Sequence, residues 1–463
     1  MNQAIGIQLL LGASPITSLE EYLAGGGGEG LARALELGPD QVIAEVSLAG
    51  LRGRGGAGFP TGTKWASVRS GGGRHHYAVC NAAEGEPATF KDRALLRDNP
   101  YQVVEGLAIA ALAVDASEAF IALKASFRRE QEATERAVGQ MREAGLLGEM
   151  RIRLITGPEE YLFGEEKALL EVIEGNDPLP RWLPPYLHGL FATVPQLGWE
   201  AHDPERGHFG AHYANPTLVN NVETLANIPH ILAKGAGWFR SMGTGESPGT
   251  VVCTVVGDVR RPDVVEVELG TELGDVLDHC GGPLPGRRIR AVLSGVSNPV
   301  LSGEQVGTRL SYEDMQAAGS GLGAAGFVVY DDTACMVEVA RMLSRFLYVE
   351  SCGQCVPCKF GTGEITEALD LIANGRGSEA ELARIRERLT IVADANRCYL
   401  PVEERRLVSS ILAAFPEDFA AHLKGPCPSP REIPVPKIVD LADGRVVYDP
   451  RQARKRPDWT YDE

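Results

Sequence analysis

The sequence predicts an α/β unit joined to a small α+β unit of β-grasp type and to an all-α bundle, and three observations predict it. Strand-like and helix-like segments alternate from about residue 50 to 175. A valine-rich hairpin pattern followed by a short helix begins at residue 249. Helical segments then surround a C-x-x-C-x-x-C run between 334 and 424. Alternating strands and helices build a parallel sheet with helices on both faces. At 463 residues the chain has room for about three domains of roughly 150 residues each.

Along the chain, AGGGGEG (24–30) is a turn and 31–50 a helix ending at a glycine. HYAVCNA (76–82), EAFIALKA (118–125) and MRIRLITG (150–157) are strands. Between them lie a helix over 100–114 with Pro100 in its first turn and a charged amphipathic helix over 127–145; another helix spans 164–176. The prolines and glycines of 180–215 predict a long irregular loop. TVVCTVVGDV and PDVVEVEL form a hairpin, TELGDVLDHCG a helix, and 334–424 holds four helical segments. In the tail, KIVDLADGRVVYD is a hairpin turning at Asp443–Gly444. The expected divisions are an N-terminal segment 1–45, an α/β domain 46–245, a β-grasp domain 246–332, a helical domain 333–424 and an extended tail 425–463.

Apolar residues at 44% and charged residues at 23% are an ordinary globular balance. A net charge of −17 argues against nucleic acid, which needs a basic face. No apolar run approaches the roughly 20 residues of a membrane span. The N-terminal apolar patch has no basic residue before it, so no signal peptide is expected. Nine cysteines, an odd number concentrated in one cluster, point to a reducing compartment. A cytoplasmic protein is expected, free or peripheral to a membrane within a complex.

Cys352, Cys355 and Cys358 lie within seven residues, and Cys398 follows from a later segment. Three such thiols reach three corners of an inorganic cube and a fourth closes the site, the spacing of a [4Fe–4S] cluster. A zinc site, which more often pairs two separate knuckles, and a set of buried thiols are the competing readings.

RGRGGAGF (52–59) satisfies G-x-G-x-x-G through Gly53, Gly55 and Gly58, but helix rather than strand precedes it and the first downstream carboxylate is Glu84. A standard Rossmann dinucleotide site is therefore rejected. The loop still suits an anion cradle, with Arg52, Arg54 and Lys64 supplying charge and Phe59 and Trp65 able to stack on a flat ring. A flexible loop is the plain alternative. The polar stretch NAAEGEPATFKD (81–92) continues from the strand 76–82. There Asn81 can pair with an amide edge, and Glu84 and Glu86 can accept from hydroxyls or a carboxamide, or stand solvated. Glu165 and Glu166 open a helix and Asn220 and Asn221 another segment; simple capping accounts for each.

In order, RGRGGAGFPTGTKW, CNAAEGEP, YLFGEEKALL, NNVETLANIP and ESCGQCVPC with Cys398 resemble the flavin-bearing NADH dehydrogenase subunit of respiratory complex I and the diaphorase subunits of NAD-dependent hydrogenases and formate dehydrogenases. The resemblance covers about residues 40–420. It implies a Rossmann-like FMN domain, a β-grasp (SLBB) domain and a helical [4Fe–4S] domain. It places FMN near Arg52, Gly53, Gly55, Lys64, Asn81, Glu84, Tyr161, Gly164, Glu165, Asn220, Asn221 and Thr224. NADH would lie over the flavin near Phe59, Lys64, Glu86, Glu166 and Tyr186, and Cys352, Cys355, Cys358 and Cys398 would hold the cluster. It implies NADH oxidation with electrons passed to a partner: a small thioredoxin-like [2Fe–2S] subunit, with further iron–sulfur subunits beyond. Cys80, Cys253, Cys280, Cys335 and Cys427 are expected to be ordinary thiols.

Several positions depart from the family pattern. Ala83 and Gly85 stand where relatives have Asp and Ser, Phe163 replaces a common Cys, Ser67 replaces an aromatic, and WLPPY carries Leu183 and Tyr186. The long loop 192–215 contains His202, His208 and His212, read as a polar loop rather than a metal site. The proline-rich tail lies outside the common core and is expected to dock a partner. These changes cluster at the nucleotide pocket. They raise an alternative, an FMN/[4Fe–4S] electron-transfer subunit that does not use NAD(P)H; a redox-inactive scaffold is a third reading, opposed by the intact cysteines.

Overall fold

The computed structural model describes residues 6–194, 213–427 and 430–462. The first part is built on four parallel strands, β1 (His76–Ala82), β2 (Ala116–Lys124), β3 (Ile152–Gly157) and β4 (Thr217–Asn221), in the order β3-β2-β1-β4. The chain winds outward from β1 on one side and adds β4 on the other. Such a reversal leaves a crevice at the carboxyl ends of the strands, where open α/β sheets take ligands.

Both faces of this sheet are buried, which is why β1 reads as a continuous apolar run rather than an alternation. Ala78, Cys80 and Ala82 join the core made with helices Pro100–Ala113 and Val222–Lys234. Tyr77 and Val79 face Phe120, Phe163 and Leu169 on the other side. The two helices of the first face pack closely because of Gly106: a Cβ there would stand 2.0 Å from the carbonyl oxygen of Leu225.

The expected helix 31–50 is two helices, Glu29–Leu37 and Pro39–Ala49, split at Gly38 with φ 77°. Pro39 has no N–H to continue the first helix and is suited to begin the second. Helices Thr61–Ser70 and Lys91–Asp98 follow the two polar loops read from the sequence. His202, His208 and His212 lie outside the described residues.

The second part is a five-stranded mixed sheet, in the order β6-β5-β9-β7-β8: β5 (Thr250–Gly257), β6 (Asp263–Glu268), β7 (Ile289–Ser294), β8 (Leu301–Ser302) and β9 (Gly326–Asp331). Strands β5 and β6 are the expected hairpin, and helix Leu273–His279 packs Val276 and Leu277 onto Val251 and Val255. The third part has five helices where four were expected: Met336–Glu350, Val356–Ala373, Glu379–Ile391, Leu400–Ala414 and Pro416–His422. Pro416 separates the last two.

The tail folds back on its own chain. Its hairpin, β10 (Ile438–Ala442) and β11 (Arg445–Tyr448), turns at Asp443 and Gly444, both at positive φ (51° and 68°), as a two-residue type I′ turn requires. Arg431 reaches Asp258 at 2.8 Å and Asp331 at 3.2 Å. Lys455 Nζ lies 2.8 Å from Glu350, both side chains fully buried. Burial pushes Glu350 up, but Lys455 and then Lys437 outweigh it and hold the carboxyl below its ordinary value.

Replacing Lys455 by Met leaves Glu350 as an uncompensated buried charge, so Lys455→Met should cost about 3–5 kcal/mol in denaturant unfolding at neutral pH. Because the folded value of Glu350 is depressed, its contribution is present above the unfolded value of about 4.3 and lost on acidification. The gap between wild type and variant should therefore shrink as pH falls below that value; a pH-independent gap would show that the ion pair is not its source.

Candidate functional site

A single cavity of about 1000 Å³ opens at the carboxyl end of β1 and runs to Cys398. Its size is at the upper end for small-molecule sites. Of the sequence-derived FMN and nucleotide residues, all but Tyr186 line it. Tyr186 is 46% exposed and stands outside; the preceding Pro185 is pinned by its carbonyl to the Thr217 N–H at 2.9 Å.

The glycine loop is closed on itself by Gly53 N–H to the Phe59 carbonyl and Arg52 Nε to the Gly58 carbonyl, each 2.8 Å. The Arg52 guanidinium lies over the Tyr312 ring at 3.9 Å. Gly58 has φ 62°, and a Cβ there would meet that ring at 2.4 Å. Lys64 projects from helix Thr61–Ser70 and pairs with Glu166 at 2.8 Å. Phe59, 53% exposed, stands at the mouth.

Two residues read as anion-loop groups do not face the cavity. Arg54 is buried beneath the loop and donates to the carbonyls of Pro248 and Thr250. Trp65 is fully buried and donates from Nε1 to Asn220 at 2.8 Å. Both look ligand-facing in a one-dimensional motif. In three dimensions Arg54 turns away from its neighbours Gly53 and Gly55, and Trp65 turns away from Lys64.

The loop after β1 is fixed from within. Asn81 donates to the Gly164 carbonyl at 2.7 Å. Glu84 accepts from the Asp92 and Arg93 N–H groups and pairs with Arg93 at 3.0 Å, so it begins helix Lys91–Asp98 as well as lining the cavity. Glu86 accepts from Ser297 at 2.9 Å and from the Val296 N–H at 3.2 Å, joining the first part to the second; burial pushes its carboxyl up. Asn221 caps Val222–Lys234, and the Thr224 hydroxyl accepts from the Arg54 N–H.

Towards Cys398 the wall carries acids that burial drives towards the protonated form. Glu165 caps helix Glu166–Ile173 by accepting from Lys167 and Ala168 N–H, and burial raises it to about 7. Glu403 is raised to about 8 by burial and then by Glu86. It accepts from the Tyr161 hydroxyl at 2.9 Å, and its Oε2 is buried with no hydrogen-bond partner among the described residues. Sequence reasoning missed Glu403 and the β-grasp contributions of Asn298, Tyr312 and Gly323, since each is set there only by tertiary packing.

The departures from the family pattern are mostly packing. Gly85 leaves room for buried Lys124, whose Nζ would stand 2.4 Å from a Cβ at that position. Phe163 fills the core against Gly157. Ala83 is buried. Ser67 is exposed and donates to the Thr63 carbonyl one helical turn back.

Cys355 caps helix Val356–Ala373, with Cys352 just before it and Cys358 in its first turn; Cys398 precedes helix Leu400–Ala414. Helix N-termini favour thiolates. Burial pushes Cys358 up to about 12, with Cys355 and Cys352 adding to it, and Cys398 is raised by burial, Glu165 and then Cys358 and Cys352, so the four thiols share one neighbourhood. A tetrahedral zinc with 2.3 Å bonds sets its sulfurs about 3.8 Å apart. Among the described residues, three donors closing within 4.8 Å are found at Cys335, His422 and Cys427 and not among these four thiols. Four converging thiols at wider spacing fit an inorganic cube better than one ion.

Three family models match: the Nuo51 FMN-binding domain over residues 46–230, the SLBB domain over 252–300, and the NADH-ubiquinone oxidoreductase-F iron-sulfur binding region over 338–422. The NADH-quinone oxidoreductase F 2 subunit of Rhizobium meliloti (strain 1021) is 37% identical over 417 residues, spanning 88% of this chain and 94% of that one. This chain belongs to the family of NADH-quinone oxidoreductase F subunits. The NADP-reducing hydrogenase subunit HndC of Solidesulfovibrio fructosivorans is 36% identical, spanning 88% of this chain and 81% of its own. The crystal structure of an air-oxidized NAD+-reducing [NiFe]-hydrogenase superposes with a TM-score of 0.74 at 32% identity, over 91% of this chain and 68% of that chain. As a member of this family, the chain is an NADH-binding oxidoreductase subunit carrying FMN and a [4Fe–4S] cluster. The main sequence reading stands, and the reading without NAD(P)H does not.

Gly58→Val should lower FMN affinity about tenfold or more, since a left-handed non-glycine residue costs roughly 1–2 kcal/mol before the collision with Tyr312. The flavin-to-protein absorbance ratio after dialysis reads this directly; full flavin retention would remove the loop from the cradle.

Proposed function

We propose that the cavity holds FMN and NADH together, with the flavin end nearest the cluster. The observation that carries this is the continuity of one cavity from the glycine loop to the cluster thiol Cys398. Bound there, FMN would supply the capacity to accept a hydride from NADH, and the cluster one-electron transfer. The chain supplies placement. Lys64, Arg52 and the N–H groups around Gly53 and Gly55 hold phosphate, while Asn81, Asn220, Asn221, Thr224, Tyr161, Gly164 and Glu165, backed by Glu84, fix the isoalloxazine and its ribityl chain. Phe59, Glu86 and Glu166 receive the nicotinamide nucleotide. Cys352, Cys355, Cys358 and Cys398 ligate the cluster. The divisions 46–245, 246–332 and 333–424, with a segment before and a tail after, are the units that do this.

The cluster end also supports a docked partner. Val356 and Phe360, each 67% exposed, and Tyr399, 43% exposed, surround the cysteine helices. Apolar side chains this exposed beside a redox centre suit a small thioredoxin-like [2Fe–2S] subunit, with further iron–sulfur subunits of the complex beyond. No helix of the described residues is long and apolar enough to cross a membrane. The odd, clustered cysteine set supports a cytoplasmic position, peripheral to any membrane.

Oxygen-free protein with both cofactors should lose its flavin absorbance on adding NADH. Flavin bands that stay unchanged with NADH yet bleach with dithionite would overturn the donor assignment. Glu86→Gln should raise KM for NADH several-fold with kcat little changed; an unaltered KM removes Glu86 from nucleotide binding.

A further inference from the structure

We propose that Glu403 is a positioning residue for the flavin: as a neutral carboxyl it donates to the Tyr161 hydroxyl oxygen and so turns the phenol proton into the cavity, towards an acceptor on bound FMN. This rests on the reading that FMN lies in this cavity.

Glu403 and Tyr161 both line the cavity. Glu403 lies on helix Leu400–Ala414 and Tyr161 in the short helical turn Tyr161–Gly164 after β3. Tyr161 is held in place from the bundle side. Its N–H donates to Glu350 at 3.0 Å, and its ring meets that of Phe346 with centroids 5.4 Å apart. Its hydroxyl oxygen lies 2.9 Å from Glu403 Oε1, a distance that suits donation in either direction.

The surroundings decide the direction. Glu403 is buried, and its Oε2 has no hydrogen-bond partner among the described residues. A carboxylate there leaves a charged oxygen without water or partner. Glu86, from the loop after β1, adds to the effect of burial and disfavours the charge further. The other charged groups nearby are engaged elsewhere. Glu350 pairs with Lys455, and Glu404 accepts from Ser344 at 2.6 Å inside the bundle. Arg406 is exposed and lies over the Tyr399 ring at 5.5 Å. Cys398 acts on Tyr161 rather than on Glu403.

A neutral carboxyl has one proton to place. On Oε2 it is a buried donor with no acceptor; on Oε1 it meets the Tyr161 oxygen. Burial, and then Glu403, push the Tyr161 phenol well above its ordinary value, so it keeps its own proton. With its oxygen accepting from Glu403, that proton is free for the cavity. Ionised Glu403 reverses the bond: it draws the phenol proton to itself, and the hydroxyl offers the cavity only lone pairs. The carbonyl oxygens and unprotonated nitrogens of a flavin ring are acceptors, so the neutral form of Glu403 is the one that favours binding.

The test uses full-length protein carrying its iron, with FMN as the ligand. Protein is held at a series of pH values and filtered, and free FMN is read by its fluorescence. Wild type should hold FMN about five- to tenfold more weakly once the pH has risen through about 8, the effect of one hydrogen bond. Glu165, raised only to about 7, titrates before this step. Glu403→Gln keeps an N–H for the Tyr161 oxygen at every pH, so it should bind FMN as wild type does at neutral pH and lose the alkaline fall. Tyr161→Phe should bind FMN at neutral pH about as weakly as wild type does above the step, and show no step of its own. The wild-type profile and Tyr161→Phe decide the matter even where Glu403→Gln loses its iron. The proposal is overturned by wild-type affinity that stays flat through the step, by a fall that persists in Glu403→Gln, or by Tyr161→Phe that binds FMN as tightly as wild type. In that last case Gly58→Val separates the causes. If it weakens FMN binding, the flavin lies in the cavity without using this hydroxyl; if it does not, the flavin lies elsewhere and the reading of the cavity fails too.

Discussion

A buried charge network holds the walls of the cavity in place. Lys91 Nζ lies 2.7 Å from Asp92 and 2.8 Å from Glu223, all nearly fully buried. Glu223 also accepts from the Val252 N–H of β5 at 2.9 Å, and Arg54 donates to the Thr250 carbonyl at 2.9 Å. Asn221 donates to Asp92 at 2.7 Å. These residues begin helix Lys91–Asp98, begin helix Val222–Lys234, underlie the glycine loop and meet the first β-grasp strand. Replacing such a network with apolar residues often does not reduce stability. What it fixes is arrangement: the loop 52–59, the end of β1 and the β-grasp sheet cannot slide past one another without leaving a buried charge unpaired.

That dependence explains how much of the site was legible in the sequence. The position of Asn81 at the cavity follows from its place at the end of a strand, and the grouping of Cys352, Cys355 and Cys358 from their place at one helical start. Arg54 and Trp65 were misplaced because the same motif serves two purposes, with neighbouring residues facing the cavity and the core. Burial decides which is which, and burial depends on Pro248, Thr250 and Asn220, far away in sequence. The walls given by Tyr312, Asn298 and Glu403 were illegible for the same reason. The split at Pro39 was legible in principle, since a proline there forces a new helix start.

Gly85 and Lys124 show how an altered motif can keep its shape. A side chain at 85 would occupy the space that the Lys124 ammonium fills. Burial and nearby Lys437 lower Lys124 to about 7, so keeping the amine in this wall opposes folding near neutral pH. The space at 85 is thus filled by a side chain from β2. Read alone, Gly85 suggests a damaged pocket; read with Lys124 it is a repacked wall.

The chain carries a net charge of −17 and yet must receive anionic nucleotides. Its cavity is polarised although the protein as a whole is acidic. At the loop end stand the side chains of Arg52 and Lys64. Towards Cys398, burial moves Glu165 to about 7 and Glu403 to about 8, so carboxyls that would repel an incoming phosphate or a reduced centre are partly or wholly neutral. The same burial that the sheet and bundle need for their cores thus sets the charge of the site. An acidic chain can keep these acids at its redox end because folding, and not a counter-ion, neutralises them.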